Sequence, residues 1–137
     1  MIIMKFGGTS VGNADRIRKV ANIIKSQIKK DPIVVVSAVT KITDMLIKLA
    51  NECSQGKGDS LLLNIKNIHY EILEKLNIDK GLLKDDMEEL SILAEKIKSD
   101  KYIDAKRLDE IQSFGERMSS KIVAAQPDIQ HLIVGGA

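Results

Sequence analysis

A chain of 137 residues is long enough for one domain and too short for two, and it can bury about 70% of the surface its unfolded form exposes. Hydrophobic residues make up 44% and charged residues 29%, which excludes disorder as the main state, while 3% aromatics without tryptophan exclude a base-stacking platform and require an aliphatic core. The formal charge is +2, but residues 1–30 hold seven Lys and Arg against Asp15 alone, so a cationic start suited to phosphate precedes an acidic remainder unsuited to nucleic acid.

Met1 to Phe6 is an apolar run broken only by Lys5 and followed by Gly7-Gly8-Thr9-Ser10, the pattern of a strand that ends in a turn. Asn13 caps a predicted helix with Ile17, Val20, Ala21, Ile24 and Ile28 on one face, Asp15 in the first turn and Lys29 and Lys30 in the last. Asp31-Pro32 stops that helix, and the unbroken β-branched run 33–36 predicts a strand covered on both faces. Strand, helix, strand in this order is a βαβ unit, so the fold class is α/β with a parallel sheet.

A second helix is expected over 43–53, with Leu46, Leu49, Ala50 and Cys53 on one side. Residues 60–76 and 83–98 repeat apolar positions at helical spacing, with Gly81 between them, and predict an antiparallel helical hairpin over 58–100 packed on the sheet layer. Asp104 caps a last helix with Ile111, Gly115, Met118 and Ile122 on its apolar stripe. Glycine inside a helix costs about 1 kcal/mol relative to alanine, so another helix or a ligand is expected to approach the backbone at Gly115. Pro127 ends that helix, and 131–134 predict a short strand closed by Gly135-Gly136. Cys53 is single, a secretory signal is not evident, and no apolar run nears the ~18–20 residues that cross a bilayer; a cytoplasmic location away from membranes is expected.

The turn after the first strand carries the most chemistry. Lys5 stands at a strand end, Gly7 and Gly8 allow backbone N–H groups to converge without Cβ obstruction, and Thr9 and Ser10 add hydroxyls before a helix. Such a turn cradles a polyphosphate. It is not a Walker loop, because Asn13-Ala14 stands where Lys-Ser or Lys-Thr is needed, and no G-x-G-x-x-G occurs. A glycine pair taken alone more often just makes a tight βα turn, and Lys5 taken alone more often snorkels from a strand end.

Three ordered stretches carry a resemblance. Lys5-Phe6-Gly7-Gly8-Thr9-Ser10-Val11, Val35-Val36-Ser37-Ala38 followed by Ile42-Thr43-Asp44, and Ser113-Phe114-Gly115-Glu116-Arg117-Met118-Ser119-Ser120 together resemble aspartate kinases of the amino-acid kinase superfamily, over residues 2 to about 125. The resemblance implies a parallel-sheet sandwich, of which 1–137 would be the N-terminal part of the catalytic domain, with 126–137 atypical. It implies ATP-dependent phosphorylation of the side-chain carboxylate of L-aspartate to 4-phospho-L-aspartate, with Mg2+ accompanying the nucleotide, as the first step toward lysine, threonine and methionine. Lys5 would be catalytic, offsetting phosphoryl charge; Lys5, Phe6, Gly7, Gly8, Thr9 and Ser10 would hold the ATP phosphates; Ser37, Thr43 and Glu116 would hold the amino acid, Glu116 through its α-ammonium. Gly115 would then be the point where substrate lies against the helix.

Other readings of the same residues stand beside these. Thr43 equally serves as a helix cap and Glu116-Arg117 as an exposed charged pair, His69 fits a packed core, and His131 has no partners at metal-ligand spacing, so no protein metal site is expected. Segments the family carries further on, including Gly-Gly-Ser-Asp, an aspartate-gripping arginine, the adenine enclosure and ACT domains, have no counterpart here. The isolated chain is therefore expected to be weakly active or inactive, with a homo-oligomer expected of a full-length parent. The alternatives are a non-catalytic subunit that joins an intact kinase chain, and a related kinase with another carboxylate or carbamate acceptor.

Overall fold

The β-branched run becomes the middle strand of a parallel sheet in the computed structural model, which describes residues 1–137. Strand β2 (Pro32–Val36) pairs with β1 (Ile2–Phe6) on one side and β3 (Ile133–Gly136) on the other. Ile3, Ile33 and Ile133 share one row; Lys5, Val35 and Gly135 share the next row on that face. Pro32 occupies the first residue of the middle strand, where a missing N–H disturbs the ladder least. Helix α1 (Ala14–Ser26) links β1 to β2, and α2 (Ile42–Ser54), α3 (Asp59–Lys75), α4 (Lys84–Asp100) and α5 (Ala105–Ala124) lie between β2 and β3.

The helical stripes form one aliphatic core. Ile17, Val20, Ala21 and Ile24 of α1, Leu46, Leu49 and Cys53 of α2, Leu90 and Ile97 of α4, and Ile111, Met118 and Ile122 of α5 are all buried in it. Each large aliphatic side chain fully buried contributes about 1.5–3 kcal/mol. Both predicted caps hold: Asn13 Oδ1 accepts from the Arg16 amide at 2.9 Å, and Asp104 Oδ1 accepts from the Arg107 amide at 2.8 Å. Lys98 Nζ meets Asp59 Oδ1 at 2.7 Å, joining the end of α4 to the start of α3, and both helices pack on α2.

Several boundaries differ from the sequence expectation. Helix α1 ends at Ser26, and Ile28–Lys30 forms a separate 3-10 turn before Asp31 takes a left-handed conformation. Strand β3 begins two residues later than expected and includes both glycines, because pairing with Val35 and Val36 overrides their poor strand propensity. The expectation that β2 is covered on both faces is corrected. The core takes in Val34 and Val36, with Met4, Phe6 and Val134 packed against it, whereas Ile3 is 73% exposed and Ile133 68% on the other face. β-Branching specified the strand, but the helices of these residues pack on one side only.

Helices α4 and α5 are clamped through one buried carboxylate. Asp86 is fully buried and receives Lys121 Nζ at 2.6 Å and an Arg117 nitrogen at 3.1 Å; Arg117 also reaches Glu89 at 2.6 Å. The Glu89 hydrogen bond, with Asp86 adding, raises the Arg117 guanidinium above its usual range. Arg117 and Lys121 are themselves partly exposed, so solvent rescues them if Asp86 is removed. Asp86→Ala is therefore expected to cost about 1–3 kcal/mol in urea unfolding, and replacing Arg117 and Lys121 together by Met about 3–5 kcal/mol, because it leaves the buried carboxylate alone. Equal costs for the two variants contradict the clamp.

His69 is buried with Nδ1 bonded to the Ile65 carbonyl at 2.8 Å and Nε2 without a partner. Burial, outweighing that bond, pushes the imidazole below its ordinary value of 6.5. The unfolded chain then binds a proton that the folded chain refuses, so stability is retained above about pH 6.5 and declines as pH falls below it. The urea midpoint is expected to drop between pH 7.5 and pH 5, and less steeply in His69→Leu; identical slopes in both contradict this.

Candidate functional site at the carboxyl ends of the strands

Ligands of open parallel sheets bind beyond the carboxyl ends of the strands, and three chain segments meet there. Strand β1 runs into Gly7 and a 3-10 turn over Gly8–Val11; β2 runs into 37–41 and then α2; β3 stops at Gly136. The ladder continues past the strands, with the Ser37 amide donating to the Phe6 carbonyl at 3.0 Å and the Ala137 amide to the Val36 carbonyl at 2.9 Å. Thr40 Oγ1 donates to the Gly8 carbonyl at 2.8 Å, so the first two turns hold each other. Arg16 braces the first turn from α1, donating to the Thr9 carbonyl at 2.6 Å.

Helix α5 closes the edge. The buried Ser119 hydroxyl donates to the Ser37 carbonyl at 2.5 Å, and a Cβ on Gly115 would stand 2.8 Å from the Ala38 Cβ and 3.3 Å from Leu46 Cδ1. The glycine is needed because α5 lies on the β2–α2 turn. This corrects the expectation of substrate against Gly115: Ala38, Ile42 and Leu46 fill that space.

The structure brings most of the sequence-predicted residues to this edge. Gly7, Gly8, Thr9 and Ser10 form the first turn, in which the Ser10 amide donates to the Gly7 carbonyl at 3.0 Å. Phe6 is partly buried on the helical side, and Ser37 is the first residue past β2. Glu116 is partly buried on α5, its side chain against Gly136 at the end of β3. Lys5 approaches from the opposite face: it is exposed, in register with Val35 and Gly135, and has no ion pair or side-chain hydrogen bond.

Thr43 is exposed in the first turn of α2 and does not cap it; the cap position is Lys41, a non-glycine residue at φ 69°. Glu116 and Arg117 are not a pair, since Arg117 is turned to α4 and lies 4.5 Å from the centre of the Phe114 ring. A groove of about 400 Å3 flanks the first turn on the α1 side, lined by Thr9, Ser10, Arg16 and Lys19 over Phe6, Val20 and Ile23; Lys5 and Glu116 do not line it.

Sequence reasoning missed Arg16, Thr40, Ser119 and Gly136. Ser119 stood in the 113–120 stretch of the resemblance, next to Met118 of the apolar stripe, but without a role of its own; Thr40 and Gly136 act only through contacts with distant segments.

Residues 1–130 match the amino acid kinase family. Aspartokinase 1 of Arabidopsis thaliana, a chloroplastic protein, is 36% identical over 129 residues, which cover 90% of this chain and 22% of that protein. The aspartokinase of Rickettsia felis is 57% identical over 56 residues, 39% of this chain and 14% of its own length. The crystal structure of E. coli aspartokinase III in complex with lysine and aspartate has a TM-score of 0.82 and 30% identity, covering 96% of this chain and 30% of that one. The same E. coli enzyme in complex with aspartate and ADP gives 0.79 and 32%, over 90% and 28%. The chain thus spans less than a third of each of these proteins. With the family match running through β1, all five helices and the approach to β3, the chain belongs to the amino acid kinase family.

Proposed function

We propose that residues 1–137 supply the N-terminal part of the catalytic domain of an aspartate kinase, which transfers the γ-phosphoryl group of ATP to the side-chain carboxylate of L-aspartate. The observation that carries this reading is the gathering of Gly7–Ser10, Ser37 and Glu116 at one sheet edge. The aspartate and ADP complex of E. coli aspartokinase III supports both substrates.

In this reading a carboxylate oxygen of aspartate forms a bond to the γ-phosphorus as the bond to the β-phosphate oxygen breaks, giving 4-phospho-L-aspartate and ADP. The acceptor is already ionised at neutral pH, so no general base is needed, and the work left to the protein is positioning and charge stabilisation. Lys5 meets charge on the transferring group, and the backbone of Gly7, Gly8 and Thr9 with the hydroxyls of Thr9 and Ser10 cradles the phosphates beside Phe6. Glu116 accepts from the α-ammonium of the amino acid, and the Ser37 and Thr43 hydroxyls meet its oxygens. Mg2+ enters with the nucleotide as part of the substrate.

Arg16 is engaged with Thr9 and Arg117 with α4, and in this reading Lys5 carries the charge on the transferring group, with weak turnover expected of this chain alone. No helix is long and apolar enough to cross a membrane. A second reading, a subunit that joins another kinase chain, is favoured by the open sheet face with Ile3 and Ile133.

In equilibrium titrations, Lys5→Ala is expected to weaken MgATP binding and Glu116→Gln to weaken L-aspartate binding, each by about tenfold or more, the loss of one hydrogen bond to a charged group. ADP release stays near background in a coupled assay. Unchanged binding by both variants, or tighter binding of glutamate than aspartate, contradicts the reading; robust turnover contradicts the weak activity. Light scattering on the same samples tests the second reading, and a clean monomer that binds nucleotide argues against it.

A further inference from the structure

The two glycines of β3 have different surroundings. Gly135 shares a row with Lys5 and Val35 on the open face, and a Cβ built there meets nothing within 4 Å. Gly136 pairs with Val36 on the helical side, and a Cβ built there would stand 2.8 Å from the Glu116 Cβ and 3.0 Å from its Oε2. Neither glycine has a positive φ, so the backbone requires glycine at neither position. The three atoms nearest to a Cβ at 136 all belong to Glu116.

Helix α5 has little room to yield to a side chain there. Ser119 binds it to Ser37, Gly115 seats it on Ala38, and Asp86 holds Arg117 and Lys121 on its far side. A methyl group at 136 cannot be relieved by a rotamer change alone, because the Glu116 Cβ is fixed to the α5 backbone; with α5 held, the end of β3 has to shift, and the contact of the Glu116 carboxylate with that strand end changes with it. We infer that Gly136 is a positioning residue of the amino-acid pocket: its missing side chain leaves the seat in which the Glu116 carboxylate lies against the end of β3. The inference rests on the assignment of Glu116 to the substrate α-ammonium. It adds that the end of the third strand fixes the direction from which that ammonium is held, and with it the angle at which the acceptor carboxylate meets the phosphates at the first turn. The terminal segment, which no motif marked, thereby becomes a wall of the site.

The test uses the 137-residue chain with carbon-13 detection of the Glu116 side-chain carboxyl, assigned by its loss in Glu116→Gln. Gly136→Ala is expected to move that resonance and to weaken L-aspartate binding by about tenfold, the loss of one well-aimed charged hydrogen bond, while MgATP binding is unchanged. Gly135→Ala moves neither. A Glu116 resonance unmoved by Gly136→Ala, equal effects from Gly135→Ala, or an equal loss of MgATP binding overturns the inference. If the wild-type chain binds no L-aspartate, the substrate reading fails while the resonance comparison still decides the role of Gly136. If Gly136→Ala does not fold, the wild-type chain decides: nuclear Overhauser contacts between the Gly136 Hα protons and the Glu116 side chain are expected, and their absence overturns the inference.

Discussion

Helix α5 can rest on the end of β2 because position 115 has no side chain. A methyl group there would meet the Ala38 Cβ at 2.8 Å, well inside van der Waals contact, and α5 would have to lift away. Lifting would break the 2.5 Å bond from Ser119 to the Ser37 carbonyl and carry Glu116 off the sheet edge. A helix normally loses stability from an interior glycine. Here the loss is offset by bringing a carboxylate on one helix to the ends of strands whose turns hold the backbone amides.

That contact also sorts the charges. On α5, Glu116 faces the strand ends while Arg117 and Lys121 are drawn to Asp86 on α4. A buried carboxylate that takes two cations is weak evidence for net stability, because desolvation offsets much of the attraction. Its consequence for the site is directional, since it holds the neighbouring guanidinium away from the Glu116 carboxylate. In the proposed reading the Glu116 carboxylate takes an ammonium group, and Lys5, which comes from the opposite face, meets the phosphate. Two opposite charges placed across one edge, with backbone between them, suit a reaction that joins an amino acid to a phosphoryl donor.

Local chemistry was legible in the sequence, and contacts between distant segments were not. Asn13 and Asp104 announced helix starts because a cap acts over three residues, and the aliphatic stripes announced the core because helical spacing is itself local. The first turn could be read because its lysine, glycines and hydroxyls are contiguous. Gly115 was visible as an anomaly, but what approaches it, Ala38, lies 77 positions earlier in the chain. Gly136 and Asp86 left no such trace, since a glycine at a strand end and an aspartate in an acidic first turn are ordinary until their partners are known. The open face of the sheet could not be read either, because the run 33–36 specifies a strand without specifying how many layers cover it.

The account stands on the carboxyl ends of three strands acting as one site, and amide chemical-shift mapping tests that directly. With L-aspartate and a Mg2+ nucleotide added together, the largest shifts are expected at Gly7–Ser10, Ser37 and Ala38, Gly115 and Glu116, and Gly136. Shifts confined to the α1 flank around Arg16 and Lys19, or scattered without relation to the strand ends, would contradict it.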